Sequence, residues 1–261
     1  MRLKIRLDSK NSVTLPIHYN YTVQGFIYSH LDPVLREKLH NNGISYGKRQ
    51  YKMFTFSILY PHRIKREHNH WIMQPPLDLY ISSYDDNILE SFALELIRKK
   101  QVNIGKNTLR IDAIMVIVPP EYEQEVIIKT MSPITIHSTQ TVNGKRYTNY
   151  FSPHDPMFSQ KIQENLKRKF RAIFNTSPEE DEDFLELEPI KINSDPAIIY
   201  YKDYIIKGWK GIFKLKTSPI YFNLAYLTGL GARNSLGFGM WKPISNSEEL
   251  RKFRSSENGK H

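Results

Sequence analysis

The stretch Gly229-Leu-Gly-Ala-Arg-Asn-Ser-Leu-Gly-Phe-Gly-Met-Trp241 decides how the rest of the chain is read. Four glycines, Gly229, Gly231, Gly237 and Gly239, bracket a short polar and basic centre of Arg233, Asn234 and Ser235. Glycine admits positive φ and lets a foreign backbone approach the main chain. Successive N–H groups in such a loop form a concave nest that suits anions, phosphate above all. Arg233 adds a planar fork of donors matched to a phosphate edge. A single Gly-x-Gly would say little, since hairpins use the same residues. Two such pairs around Arg-Asn-Ser, followed by apolar residues able to form a closing strand, are far less common. The loop is therefore expected to contact a phosphate-bearing strand; the alternative is a wide turn that merely reverses the chain.

Upstream of this loop, Ser218-Pro219 opens a helix through Leu227, and residues 204–216 alternate strongly enough to read as one strand. Residues 187–192 form another strand. Asp155-Pro156 caps a helix running to about Phe174, and residues 125–137 supply strand material broken around Ser132-Pro133. Pro119-Pro120 marks a domain boundary. Before it the pattern is clearer. Leu3, Ile5 and Leu7 face one way and Arg2, Lys4 and Arg6 the other, as in a half-buried strand. Val23, Ile27 and Leu31 recur at helical spacing behind Asn20 as N-cap. Asp32-Pro33 then starts a second helix that ends at Asn41-Asn42-Gly43. Residues 51–59 and 77–83 are strands. A helix follows Asp85-Asp86, with Ile88, Phe92, Leu96 and Ile97 along one side, and residues 109–118 close the set. The order strand–helix–strand–strand–helix–strand is ferredoxin-like. The predicted class is α+β, with two tandem ferredoxin-like (βαββαβ) domains at 1–120 and 121–244 and a polar tail at 245–261.

The glycine-rich segment resembles the C-terminal signature of the CRISPR-associated endoribonucleases that cut repeat RNA into guide units, members of the RAMP superfamily with two ferredoxin-like domains in tandem. The resemblance also covers the opening strand and the region from Tyr28 to Lys52; residues 60–220 match mainly in pattern. Tyr28 in Gln-Gly-Phe-Ile-Tyr, His40 in Lys-Leu-His, and Lys52 in Tyr-Lys-Met-Phe-Thr-Phe-Ser stand where several family members carry a catalytic tyrosine, histidine and lysine. The resemblance implies metal-independent cleavage of precursor guide RNA: the 2′-OH attacks its own 3′ phosphate, leaving a 2′,3′-cyclic phosphate and a 5′-OH. Such chemistry needs a base, an acid and a cation for the phosphorane charge. An imidazole titrates near neutrality and suits the proton transfers. A lysine steadies the charge, and a tyrosine orients or shares a proton. Each residue also has a plainer reading: Tyr28 as packing, His40 as a helix cap, Lys52 as a solvated strand residue. The implied partner is CRISPR repeat RNA, with other subunits of an interference complex and a second copy of the chain (a homodimer) as further candidates. The rivals are a repeat-binding subunit of such a complex without turnover, a metal-dependent nuclease, and a plain RNA-binding module.

The bulk composition agrees with an RNA partner. Lys and Arg outnumber Asp and Glu to give a formal charge of +10, and phosphate neutralisation supplies much of nucleic-acid binding. Sixteen tyrosines are compatible with base stacking. On the helix after Asp155, the residues Ile162, Leu166, Phe170 and Ile173 form the buried side, and Lys161, Arg168 and Arg171 form a basic stripe that is either an RNA-facing or a solvated surface. Lys210, Lys214 and Lys216 either follow a phosphate backbone or polarise the outside of a sheet. The absence of cysteine excludes disulfides and thiol chemistry. No apolar run reaches the length of a membrane span, and a cytoplasmic location is expected. His62, His68 and His70 lie among Arg63, Lys65 and Arg66, a field that repels a metal ion and suits a phosphate-facing or disordered loop. The acidic run at 179–183 reads as a solvated loop. No metal or cofactor is assigned.

Overall fold

The alternation in β1 (Arg2–Asp8) places Leu3, Ile5 and Leu7 in a core, each at most 2% exposed. The computed structural model describes residues 1–244 other than 42, 48 and 203, so the tail from 245 and Asn42 lie outside the described residues. After β1 come β2 (Val13–Pro16), α1 (Asn20–Ser29), α2 (Pro33–Asn41), β3 (Ile44–Tyr46), β4 (Arg49–Tyr51), β5 (Phe54–Phe56), β6 (Tyr60–Glu67), β7 (His70–Ser83), α3 (Asp86–Arg98), β8 (Gln101–Ile104) and β9 (Asn107–Val116). The first sheet runs β2-β7-β1-β9-β8, with β5 and β6 also paired to β7. Its apolar side receives Val23, Phe26 and Ile27 of α1 and Ile88, Leu89, Phe92 and Leu96 of α3.

The second half contains β10 (Glu125–Thr130), β11 (His137–Val142), β12 (Lys145–Tyr150), α4 (Met157–Phe174), β13 (Leu185–Ile192), β14 (Ala197–Tyr201), β15 (Tyr204–Gly208), β16 (Gly211–Thr217), α5 (Pro219–Thr228) and β17 (Trp241–Pro243). Its sheet runs β13-β16-β10-β17. The core joins Ile162 and Leu166 of α4 to Phe222 and Ala225 of α5. β1 lies between β7 and β9 in the first sheet and β10 between β16 and β17 in the second, the central placing of the first strand that ferredoxin-like folding requires.

Helix starts follow the sequence where a side chain can reach the free N–H groups. Asp32 Oδ1 accepts from Val34 N and Leu35 N at 2.9 and 3.2 Å, and Ser218 Oγ accepts from Tyr221 N at 3.3 Å. Asn20 does not cap α1; its amide is drawn off to Leu236 O at 2.8 Å. The strand expected over 51–59 is interrupted because Met53 takes φ 51°, leaving β5 as three residues. The histidine-rich segment is a hairpin arm, β6 pairing with β7 around His68 at φ 52°. Residues 204–216 are two strands in two sheets, since β15 pairs with β14 whereas β16 joins the main sheet. The buried side changes from even positions (Ile206, Gly208) to odd ones (Phe213, Leu215) across that break. Ile97 is 69% exposed, one residue off the apolar stripe of α3. Lys214 and Lys216 pair with Glu188 and Glu186 on the outside of the sheet.

Arg2 ties the two halves together. Alternation turns it away from the first core, yet it is 2% exposed because α5 and β17 cover it. Its guanidinium donates to Trp241 O at 2.8 Å and Tyr226 O at 2.7 Å and lies 3.6 Å from the Tyr226 ring centroid. Burial lowers its pKa to about 10. Among the described residues no helix is long and apolar enough to cross a membrane.

Candidate functional site

Helix α1 carries the alignment between the two halves. Gln24 and Tyr28 are four residues apart, one above the other on one face at a rise of about 6 Å. Gln24 Nε2 donates to Ser235 O of the glycine-rich loop at 2.7 Å. The Tyr28 ring meets the His40 ring edge-on, with centroids 6.2 Å apart. His40 is exposed at the end of α2, with Nδ1 3.0 Å from Asn41 Oδ1. The last turn of that helix is closed by Lys52, whose ammonium donates to His40 O at 2.7 Å, a favourable place for a cation. Burial pushes the Tyr28 phenol up to about 12, so it remains a proton donor at neutral pH, and burial lowers the Lys52 ammonium. The three residues expected to act together are thus adjacent.

The glycine-rich loop shares a cleft with Lys52, whereas Tyr28 and His40 do not line that cleft. Gly229, Gly231, Gly237 and Gly239 all have positive φ and are buried, whereas Arg233, Asn234 and Ser235 remain half-buried at the surface. The close approach that the glycines permit is by the protein's own atoms, main chain at Gly231 and Gly239 and side chain at Gly237. A Cβ on Gly237 would meet the Phe56 ring at 2.5 Å, and one on Gly239 would overlap Leu230 O. Most of the N–H groups expected to form an anion nest are bonded internally: Leu230 N to Gly239 O, Ala232 N to Thr135 O and Gly239 N to Pro133 O, at 2.7–2.8 Å. Arg233, itself at φ 56°, and Ser235 stand at the surface of the loop, while the Asn234 amide turns inward and donates to Leu230 O and Phe238 O at 3.1 and 3.0 Å.

Arg233, Asn234 and Ser235 line this cleft of about 560 Å³ together with Lys52, Tyr51 and Arg49 from the first half, His137 from β11, and Lys161, Asn165, Arg168 and Lys169 from α4. Lys161 and Arg168 share Glu164 at 2.9 and 3.7 Å. Arg171 lies outside the cleft, bonded to Ser177 Oγ at 3.1 Å and the Tyr46 hydroxyl at 3.4 Å. Buried polar atoms without a partner among the described residues concentrate in this wall: Tyr51 Oη, His137 Nδ1, Asn165 Oδ1, Arg168 Nε and Arg233 Nε. Buried polar groups are normally paired, so this wall is polar beyond what the fold itself satisfies. Burial, with Arg233 and Arg49 nearby, lowers His137 to about 4, so its ring is neutral. A larger groove of about 1290 Å³ between the sheets has mixed charge, Asp78, Glu121, Glu123 and Glu125 alongside Arg2, Lys129 and Lys242, and contains none of the candidate residues.

Lys169 and Asn165 were not anticipated as site residues. Their signal is positional: both fall on the stripe of Ile162, Leu166 and Phe170, where a polar residue is out of place. Lys169 is 2% exposed and donates to Gly229 O at 2.7 Å and Thr228 Oγ1 at 3.2 Å, closing α5 where the glycine loop begins. Burial lowers its pKa from 10.5 to about 7. Between those pH values the unfolded chain holds a proton that the folded chain lacks, so rising pH favours folding. The stability difference between the wild type and Lys169→Met, from urea unfolding, is expected to shift toward the wild type from pH 7 to pH 10. A flat difference would show that this amine titrates normally. Of the acidic run, Asp183 is held by Lys167 and by the Tyr221 hydroxyl, and among the described residues no three His, Asp or Glu side chains group as a metal site.

Two tandem ferredoxin-like units joined through a glycine-rich C-terminal loop define the class of fold. Residues 14–115 match the family model for CRISPR-associated protein Cas6, N-terminal, and residues 117–243 that for CRISPR associated protein Cas6, C-terminal. The chain belongs to the Cas6 family. It is similar to the CRISPR-associated endoribonuclease Cas6 1 of Methanocaldococcus jannaschii, 25% identical over 257 residues and covering 97% of this chain and 96% of the relative. It is 26% identical over 258 residues to the CRISPR-associated endoribonuclease Cas6 of Pyrococcus furiosus, covering 94% and 91%. Among solved structures, that of a Cas6-related protein from Pyrococcus furiosus shares the fold with a TM-score of 0.82 at 22% identity, covering 95% of this chain and 99% of that one.

Proposed function

We propose that this protein is a cytoplasmic, metal-independent endoribonuclease that cuts CRISPR repeat RNA into guide units. The observation that carries the reading is that Tyr28, His40 and Lys52 adjoin one another and that Lys52 lines one cleft with Arg233, Asn234 and Ser235. The names of the relatives, CRISPR-associated endoribonucleases, support the reaction class. Repeat RNA lies with its backbone along Lys161, Arg168 and Arg233, and the scissile phosphate sits near Lys52.

In the reaction the ribose 2′ oxygen forms a bond to the adjacent phosphorus and loses its proton, while the bond from phosphorus to the 5′ oxygen breaks and that oxygen gains one. His40 is the proton carrier, since its ring is exposed and Nε2 has no bond among the described residues. Lys52 lies partly out of water, where its charge acts more strongly on the crowded phosphorane than it would in bulk solvent. Tyr28, kept protonated, has a hydroxyl proton to offer the RNA, and its ring packs against the imidazole.

The test is direct. Purified protein is mixed with candidate repeat RNAs in excess EDTA, and the product ends are identified. A 2′,3′-cyclic or 3′ phosphate with a 5′-OH is the expected result; 5′-phosphate ends, or loss of cleavage on chelation, would overturn the mechanism.

A further inference from the structure

One face of α1 continues past the cleft. Tyr21, Gln24 and Tyr28 stand at helical spacing over about 10 Å of axis. Tyr28 meets His40 and Gln24 holds Ser235 O, while Gln24 Oε1 also accepts the hydroxyl of Tyr201 from β14. That bond anchors the β14–β15 hairpin on α1. Tyr201 is buried by the contact and packs edge-on against Tyr21 at 5.5 Å, yet the Tyr21 ring itself stays 52% exposed. Directly across the hairpin from Tyr201 is Tyr204, 60% exposed. Each exposed ring is accompanied by a cation. The Lys202 ammonium is 5.2 Å from the Tyr21 centroid, and the Arg233 guanidinium is 5.8 Å from the Tyr204 centroid. Asp203, next to Lys202, lies outside the described residues.

We propose that Tyr21 and Tyr204 form a stacking strip for single-stranded nucleotides that flank the cut, with Arg233 and Lys202 on the intervening phosphates. The inference rests on the cleft being the RNA-cleaving site and adds a place where the strand leaves it. Rings exposed beside cations are how single strands are held without reading their sequence: bases stack on the π-faces and the backbone follows the positive charge. The strip starts where the cleft ends, because Arg233 belongs to both. A second copy of the chain is the less favourable occupant, since a protein of formal charge +10 would bring like charge against these cations.

The experiment uses the full chain and a repeat RNA carrying 2-aminopurine, placed in turn at each of the first three nucleotides on either side of the cut. Stacking is expected to quench the fluorophore at consecutive positions on one side only. Tyr21→Ala and Tyr204→Ala are expected to relieve that quenching and to weaken binding by about five- to 100-fold each, whereas Tyr→Phe at either position keeps both. Removing the flanking nucleotides should weaken wild-type binding and leave the alanine variants nearly insensitive. The strip is overturned if no position is quenched beyond RNA alone, if the phenylalanine variants lose as much as the alanine variants, or if the substitutions change the sedimentation of the free protein instead of RNA affinity. Failure of the underlying reading is separate: RNA would then remain uncut by the wild type whatever its flank.

Discussion

His40→Ala is expected to slow cleavage of repeat RNA by about 10²- to 10⁴-fold, the usual worth of a positioned general acid or base, while RNA affinity falls by less than about threefold. The asymmetry follows from the geometry. His40 is exposed at the end of α2, where its ring meets Tyr28 and Asn41, so truncation removes little packing. Its backbone carbonyl, which Lys52 binds, is retained in the variant. The basic wall that grips the strand is made by other residues. Single-turnover cleavage and filter binding measured on the same RNA separate the two quantities. Unchanged cleavage with retained binding would dismiss His40 as the proton carrier. Loss of both together would place His40 in RNA binding and not in proton transfer; a wild type that binds without cutting would favour a repeat-binding subunit without turnover.

Gly239→Ala is expected to destabilise the protein by about 3 kcal/mol or more and to abolish cleavage with it. Gly239 holds φ 79°, and its carbonyl accepts from Leu230 N at 2.8 Å to close the neck of the glycine loop. A Cβ there would overlap the Leu230 carbonyl and approach Asn234 Nδ2 at 2.6 Å. Opening the neck moves Arg233, Asn234 and Ser235 away from α1. Gly25 provides the contrast. It lies within α1 and a Cβ would meet nothing within 4 Å, so Gly25→Ala should stabilise by about 0.5–1 kcal/mol. Urea unfolding of the two variants checks the pair; equal effects would mean that glycine at 239 is only a flexible linker residue.

Much of this was legible in the chain. The period of β1, the Asp32 and Ser218 caps and the apolar stripe of α4 are local properties, governed by residues within a few positions of one another. The strand and helix order that follows from them is enough for tandem ferredoxin-like units. Resemblance singled out Tyr28, His40 and Lys52, and the fold brings them together. Local signals could not say what covers the other side of an element. Arg2 looks solvated by period and is buried by Trp241 and Tyr226, over 200 positions away. The glycines look like a cradle for a ligand, and tertiary packing fills the space they leave with Phe56 and the Leu230 carbonyl. Lys169 and Asn165 look like breaks in a stripe until α4, α5 and the glycine loop enclose them in one wall. Sequence determined the elements, because propensity and period act over one or two turns; tertiary structure decided which polar groups face a cleft, because that depends on surfaces contributed by the opposite half of the chain.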